Sequence, residues 1–196
     1  MKNTREIKKI ENRNKIVNAA IKLIKKEGIE SMTIRNVCNE ANIVIGTFYY
    51  YFKNKDDLLL SFIMESSFDK FKLKTPITDI GARITELYLI LIHKYISYGK
   101  DFMKSFYSAS NTALSAYMSE YDGGFYPGTI MARCEKELQT AVDAKVLDDK
   151  IDIHLLSVDI CTIVKGIIFE YCLSNEDIDV DVATKRILSN YFCCVR

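Results

Sequence analysis

Between positions 46 and 55 the chain reads Gly-Thr-Phe-Tyr-Tyr-Tyr-Phe-Lys-Asn-Lys. A glycine, a threonine, three adjacent tyrosines and a closing lysine give hydroxyls that donate and accept, one methyl group and one cation. That chemistry suits grip on an anionic, hydrogen-bonding polymer better than bond making. The rest of the chain offers little for catalysis. It has no Gly-rich phosphate loop, no Gly-x-Ser-x-Gly elbow and no metal-ligand cluster. His93 and His154 stand singly on apolar stretches, with no second histidine at i+4, and read as core histidines. No enzymatic activity, cofactor or metal is expected.

Two short helices must carry these groups. Thr33 can cap the first, whose apolar residues Ile34, Val37, Cys38 and Ala41 recur at helical spacing. Asn42 tolerates the left-handed backbone of a tight turn. In the second helix Val44, Phe48 and Phe52 fall on one face of a helical wheel, while Gly46, Thr47, Tyr50 and Tyr51 fall on the other. An aromatic back and a small, hydroxyl-bearing front suit a groove.

The run from Ile43 to Leu59 resembles the helix-turn-helix signature of tetracycline-repressor-like (TetR-family) transcriptional regulators. The pattern Gly-Thr-Phe-Tyr-x-Tyr-Phe-x-x-Lys-x-x-Leu-Leu is met from Gly46 to Leu59, and Gly28 and Thr33 stand where the family has them. The likeness covers Lys8 to Phe62. Asn42 replaces the usual turn glycine, Val44 the usual capping serine and Ile45 the usual polar or basic residue. The resemblance implies an all-α fold with a three-helix DNA-binding head, residues 1–54, on a helical ligand-binding and dimerisation body, residues 55–196. It implies a ligand-responsive transcriptional regulator, most simply a repressor released from a palindromic operator by a small apolar or amphipathic effector.

It also distributes roles. The second motif helix is expected in the major groove, where Gly46 admits backbone and Thr47 and Tyr50 face bases. Val44 and Ile45 can pack on thymine methyls. Tyr49, Tyr51 and Lys55 are implied backbone contacts, with Thr33 and Arg35 on the other flank.

Charge is consistent with a nucleic-acid contact at one end. Residues 1–60 hold 12 Lys/Arg against 7 Asp/Glu, whereas residues 61–196 hold 15 against 19. Such an asymmetry serves phosphate binding, and it equally describes two solvated faces. No apolar run reaches 18 residues and the N-terminus lacks a signal-peptide core, so a cytoplasmic location is expected. The six cysteines show no Cys-x-x-Cys spacing and are expected as free thiols.

Along the body, a long helix is expected from Lys55 to about Lys74, a stiff link out of the head. Further helices are expected near 77–98, 101–107, 109–118, 127–147, 153–173 and from 182 onward. Aromatic side chains are dense between Phe62 and Met131. Phe68, Tyr88, Phe102, Phe106, Tyr107, Tyr117 and Phe125 are candidates for a ligand pocket, although any helical core uses the same residues. The last two helices are the expected homodimer seam, because the stretch from Ile153 to Leu173 is apolar on more sides than one core covers. The rival reading is an all-helical small-molecule carrier or scaffold that never touches DNA.

Overall fold

The computed structural model describes residues 4–64, 67–108, 111–120, 122–175 and 178–195. Its regular elements there are helices: α1 (Thr4–Glu27), α2 (Ile34–Glu40), α3 (Ile45–Tyr51), α4 (Lys55–Met64), α5 (Ile80–Ile96), α6 (Lys100–Phe106), α7 (Thr112–Met118), α8 (Ile130–Asp143), α9 (Ile153–Leu173) and α10 (Val180–Cys194). Short 3-10 turns span Ile29–Ser31 and Phe68–Lys70. The expected start of a helix at Ala109 lies outside the described residues. No described helix is long and apolar enough to cross a membrane.

Two compact units divide the chain, and neither is continuous. The first comprises Met1–Glu65 and Ile96–Tyr117, the second Ser66–Tyr95 and Met118–Arg196.

In the first unit α1 lies against α2. Ile16, Val17 and Ala20 of α1 are buried, as are Val37 of α2 and Phe48 of α3. Gly28 closes α1 in the left-handed region (φ 81), its amide returning to the Ile24 carbonyl at 3.0 Å. Aromatic rings then extend the core along α4 and α6. Phe62 stacks on Phe102 at 5.8 Å, and Phe102 on Phe106 at 5.8 Å and 4°. Each such pair adds about 0.5 to 1.5 kcal/mol beyond the area it buries.

In the second unit α8 packs on α9 and α9 on α10. Each helix has a side-chain cap suited to its first amides: Thr129 accepts from Ala132, Asp152 from Leu155, and Asp179 from Asp181 and Val182. The core is largely aliphatic, with Ile84, Leu87, Leu138, Ile160 and Leu188 buried. Cys38 is buried in the first unit and Cys134, Cys161 and Cys172 in the second, whereas Cys193 and Cys194 are exposed, and all six are free.

The continuous helix expected from Lys55 to Lys74 is not formed. α4 ends at Met64, and Phe68–Lys70 is a 3-10 turn followed by irregular chain. The Phe68 amide is paired with the Gly128 carbonyl at 3.0 Å, so it makes no bond to the preceding helical turn.

Candidate nucleic-acid interface

The helix α3 is positioned by local bonds that its sequence supplies. Thr33 accepts the Asn36 amide at 3.1 Å and starts α2. Asn42 adopts the left-handed conformation (φ 49), and the Ile43 amide reaches back to the Cys38 carbonyl at 2.9 Å. That turn ends α2 and redirects the chain into α3. Below it, Asn54 accepts the Asp57 amide at 2.8 Å while Asp57 accepts the Lys53 amide at 2.9 Å, a reciprocal cap that opens α4.

On α3, Phe48 and Phe52 are sealed into the core, with rings 5.6 Å apart. The front is open. Gly46, Tyr49 and Tyr50 are exposed, and Thr47 and Tyr51 are half-buried. Ile45 is exposed as well. Val44 departs from the wheel that grouped it with Phe48 and Phe52: it is 73% exposed. The reason is that Val44 precedes the helix as its extended N-cap (φ −81, ψ 153), so helical periodicity does not apply to it. Thr33 and Arg35 are exposed on α2, and Lys55 is half-buried at the start of α4. All ten expected DNA-facing residues thus lie within or beside the motif, and Val44, Ile45, Tyr49 and Tyr50 form an exposed apolar and hydroxyl-bearing surface that a folded core would not leave open.

The start of α1 adjoins this surface. The Lys9 ammonium stands 5.7 Å from the Tyr50 ring centroid, and Glu6, Lys8, Lys9, Asn12, Tyr50 and Tyr51 line a shallow groove of about 390 Å³. A cation over the ring face holds Tyr50 and adds positive charge beside α3. The signal was the basic pair at 8 and 9, four to five residues ahead of Arg13, whose guanidinium lies 5.2 Å from the Phe52 ring.

The seven aromatic residues considered for a ligand pocket are divided between the two units. Phe102, Phe106, Tyr107 and Tyr117 belong to the first unit, Phe68, Tyr88 and Phe125 to the second. Phe68, Tyr88, Phe102 and Phe106 are almost wholly buried. Tyr107 lies edge-on to Phe106 at 5.3 Å, and Phe125 stacks on His154 at 4.9 Å. The Tyr88 hydroxyl is buried beside the Cys134 and Cys161 thiols without a well-aligned hydrogen bond, and burial drives its pKa well up. Burial likewise pushes the Cys134 thiol up to about 12.

The likeness to known proteins is concentrated in the first unit. The family described as "Bacterial regulatory proteins, tetR family" matches residues 16–62. A helix-turn-helix-type transcriptional regulator of Haemophilus influenzae is 43% identical over 47 residues, 24% of this chain and 25% of that protein. The fatty acid metabolism regulator protein of Bacillus subtilis is 36% identical over 50 residues, 26% of each. The chain therefore spans about a quarter of the length of the curated relatives it matches. Among solved structures, the FadR repressor of Thermus thermophilus in complex with lauroyl-CoA shares the fold with a TM-score of 0.64, covering 92% of this chain and 93% of that one at 15% identity. Residues 16–62 are a tetR-family regulatory domain, set in a chain that has the helical fold of solved tetR-family proteins.

Proposed function

We propose that the chain is a ligand-responsive DNA-binding transcriptional regulator, a repressor that leaves a palindromic operator when a small apolar or amphipathic effector binds. The observation that carries this reading is the α3 surface: Val44 at its N-cap and Ile45, Tyr49 and Tyr50 on the helix stand open while Phe48 and Phe52 behind them are buried, inside the segment that matches regulatory proteins. In the reading helix Thr47 and Tyr50 face bases, Gly46 admits close backbone, and Val44 and Ile45 meet thymine methyls. Thr33, Arg35, Tyr49, Tyr51 and Lys55 grip phosphates and set the register. Such a regulator works on DNA in the cytoplasm.

Two reading helices are needed, one per half-site, about 34 to 36 Å or one DNA turn apart or a multiple of it. The second unit offers a face for a twofold partner. On α9 Leu155, Phe169 and Leu173 are exposed, as is Val182 on α10. Gly166 lies on the same helix with no atom within 4 Å of a built β-carbon, which leaves room for another helix to approach closely.

Retention of genomic fragments by the purified chain at low salt, followed by sequencing, tests the reading. Enrichment of an inverted repeat containing A·T pairs is the expected result. Failure to retain any DNA at low salt would favour the carrier or scaffold alternative.

A further inference from the structure

The second unit holds an open cleft of about 1110 Å³, ample for a drug-sized molecule, and none of the seven aromatic candidates lines it. Its apolar wall is made by Leu89 and Ile90 of α5, Val146 and Leu147 of the turn after α8, and Phe192 and Val195 at the end of the chain. Phe192 is seated by a close approach: a β-carbon at Gly81 would stand 3.2 Å from its Cβ and Cγ. The ring therefore rests on bare α5 backbone.

The polar groups of this cleft are unevenly charged. Asp79, Glu86 and Asp148 line it. Each accepts from backbone amides: Asp79 from Ala82 at 3.1 Å, Glu86 from Lys74 and Thr75 at 2.8 Å, and Asp148 from Lys150 at 2.9 Å. Among the described residues none of the three has a lysine or arginine nitrogen within 4.0 Å. Burial alone would raise the Glu86 carboxyl, but the Lys74 amide, the Thr75 hydroxyl and amide and the nearby Arg83 outweigh it and hold the group below its ordinary range. The two basic residues of the lining both face Asp181, which lies outside it, His93 closely and the exposed Lys185 at the outer limit of an ion pair. The His93 Nε2 is 2.6 Å from one Asp181 oxygen, and Lys185 Nζ is 4.0 Å from the other.

We propose that this cleft is the effector site and that it takes an amphipathic organic cation. The apolar wall removes the body of such a molecule from water, and a delocalised charge costs less to bring against it than a compact ammonium does. The Phe192 face and three carboxylates then favour positive over negative charge. An acyl carboxylate or a phosphate ester would meet three like charges against the single Lys185 ammonium. The inference rests on the regulator reading for the effect on DNA, and on the cleft alone for binding.

Tetraphenylphosphonium and tetraphenylborate share a shape and differ in sign, so calorimetric titration of the full chain with each separates charge from apolar fit. The expected result is binding of the phosphonium and at least about tenfold weaker binding of the borate. The double variant Asp79→Asn, Asp148→Asn keeps an oxygen for each backbone amide and should weaken the phosphonium by about tenfold while not weakening the borate. Phe192→Leu should weaken the phosphonium with the cleft still formed. Equal affinity for both ions, or no change in the double Asn variant, would overturn the proposal. So would phosphonium binding that disappears as the chain dimerises with rising concentration, which would give the cleft to a second copy. Release of a retained operator fragment is measured separately. If the phosphonium binds as described but leaves the fragment bound, the effector role is overturned while the cation site stands. If no fragment is ever retained, the regulator reading fails and the titrations still decide the cleft.

Discussion

Arg133 on α8 donates through Nη1 to the backbone carbonyl of Phe68 at 2.8 Å, across 65 positions of the chain. Its Nη2 reaches the Phe71 carbonyl at 3.2 Å, and its Nε faces Glu137 at 2.6 Å. Glu137 also receives Arg83 at 2.6 Å, and Arg83 in turn donates to the Thr75 carbonyl. Chain that leaves helical geometry after α4 thus has its carbonyls satisfied by two guanidiniums, as buried backbone requires. Arg133→Ala removes three bonds and leaves Glu137 with one partner. The expected loss is about 3 to 5 kcal/mol in urea unfolding, the usual cost of breaking a buried pair. A loss below about 1 kcal/mol, typical of exposed pairs, would show that the network contributes no more than surface charge.

The division of labour proposed for α2, α3 and the start of α4 is separable by salt. Thr47→Ala and Tyr50→Ala should each lower discrimination between operator and unrelated duplex by about 1 to 3 kcal/mol per lost base contact. Lys55→Ala should weaken all sequences alike and reduce the slope of log affinity against log salt by about one unit. Fluorescence anisotropy with operator and scrambled duplexes at several salt concentrations distinguishes these outcomes. Uniform losses for all three variants would refute the assignment.

The face on α9 makes a prediction for assembly. Phe169→Asp with Leu173→Asp places charge on residues that are exposed in the single chain, so the fold should be kept. Sedimentation at micromolar concentration should then show a dimer for the parent chain and a monomer for the variant, with an unchanged helical circular-dichroism spectrum. An unaltered dimer would move the seam elsewhere.

Two groups give stability opposite responses to pH. His154 is bonded through Nδ1 to Glu135 at 2.8 Å and lies 3.3 Å through Nε2 from Glu120. The Glu135 bond, helped by Glu120 and opposed by burial, raises its pKa above the ordinary imidazole value. Its contribution is therefore fully present below that ordinary value, about 6.5, and is lost as pH rises through the raised one. Glu137 is the converse. Burial pushes its carboxyl up, but Arg83 and Arg133 outweigh this and hold it low. Its contribution is present above the ordinary carboxylate range and lost as pH falls through the depressed value. Melting temperatures measured from pH 3 to 9 should fall at both ends, and His154→Gln should remove the decline at the neutral-to-alkaline end alone.

Much of the head was legible because its determinants are local. Thr33 caps, Asn42 turns and Gly28 closes α1 through bonds spanning only a few residues, and their residue types announce them. The break after α4 was not legible. Its cause is the Phe68 amide meeting Gly128 and the Phe68 carbonyl meeting Arg133, partners far along the chain. Gly128 (φ 81) allows the approach, since a β-carbon there would stand 3.0 Å from the Ser67 hydroxyl. Val44 was misgrouped because a cap follows extended and not helical geometry. The aromatic candidates show a different limit: a ring that lines a pocket and a ring that fills a core have the same signature in sequence, and only packing separates Phe102, stacked on Phe62 and Phe106, from Phe192, which borders open space.

The placement of the cysteines makes the molecule its own clock for partial opening. An alkylating reagent should consume Cys193 and Cys194 at once, because both are exposed. The remaining four wait for the fold to breathe. Cys38 then reports excursions of the first unit, while Cys134, Cys161 and Cys172 report those of the second. Peptide mass spectrometry of a labelling time course would give each unit's opening free energy from the wild-type chain, with no probe introduced. If Cys38 and Cys134 react at one common, concentration-saturated rate, the two units open as a single cooperative body; distinct rates would mean that either can unfold while the other holds.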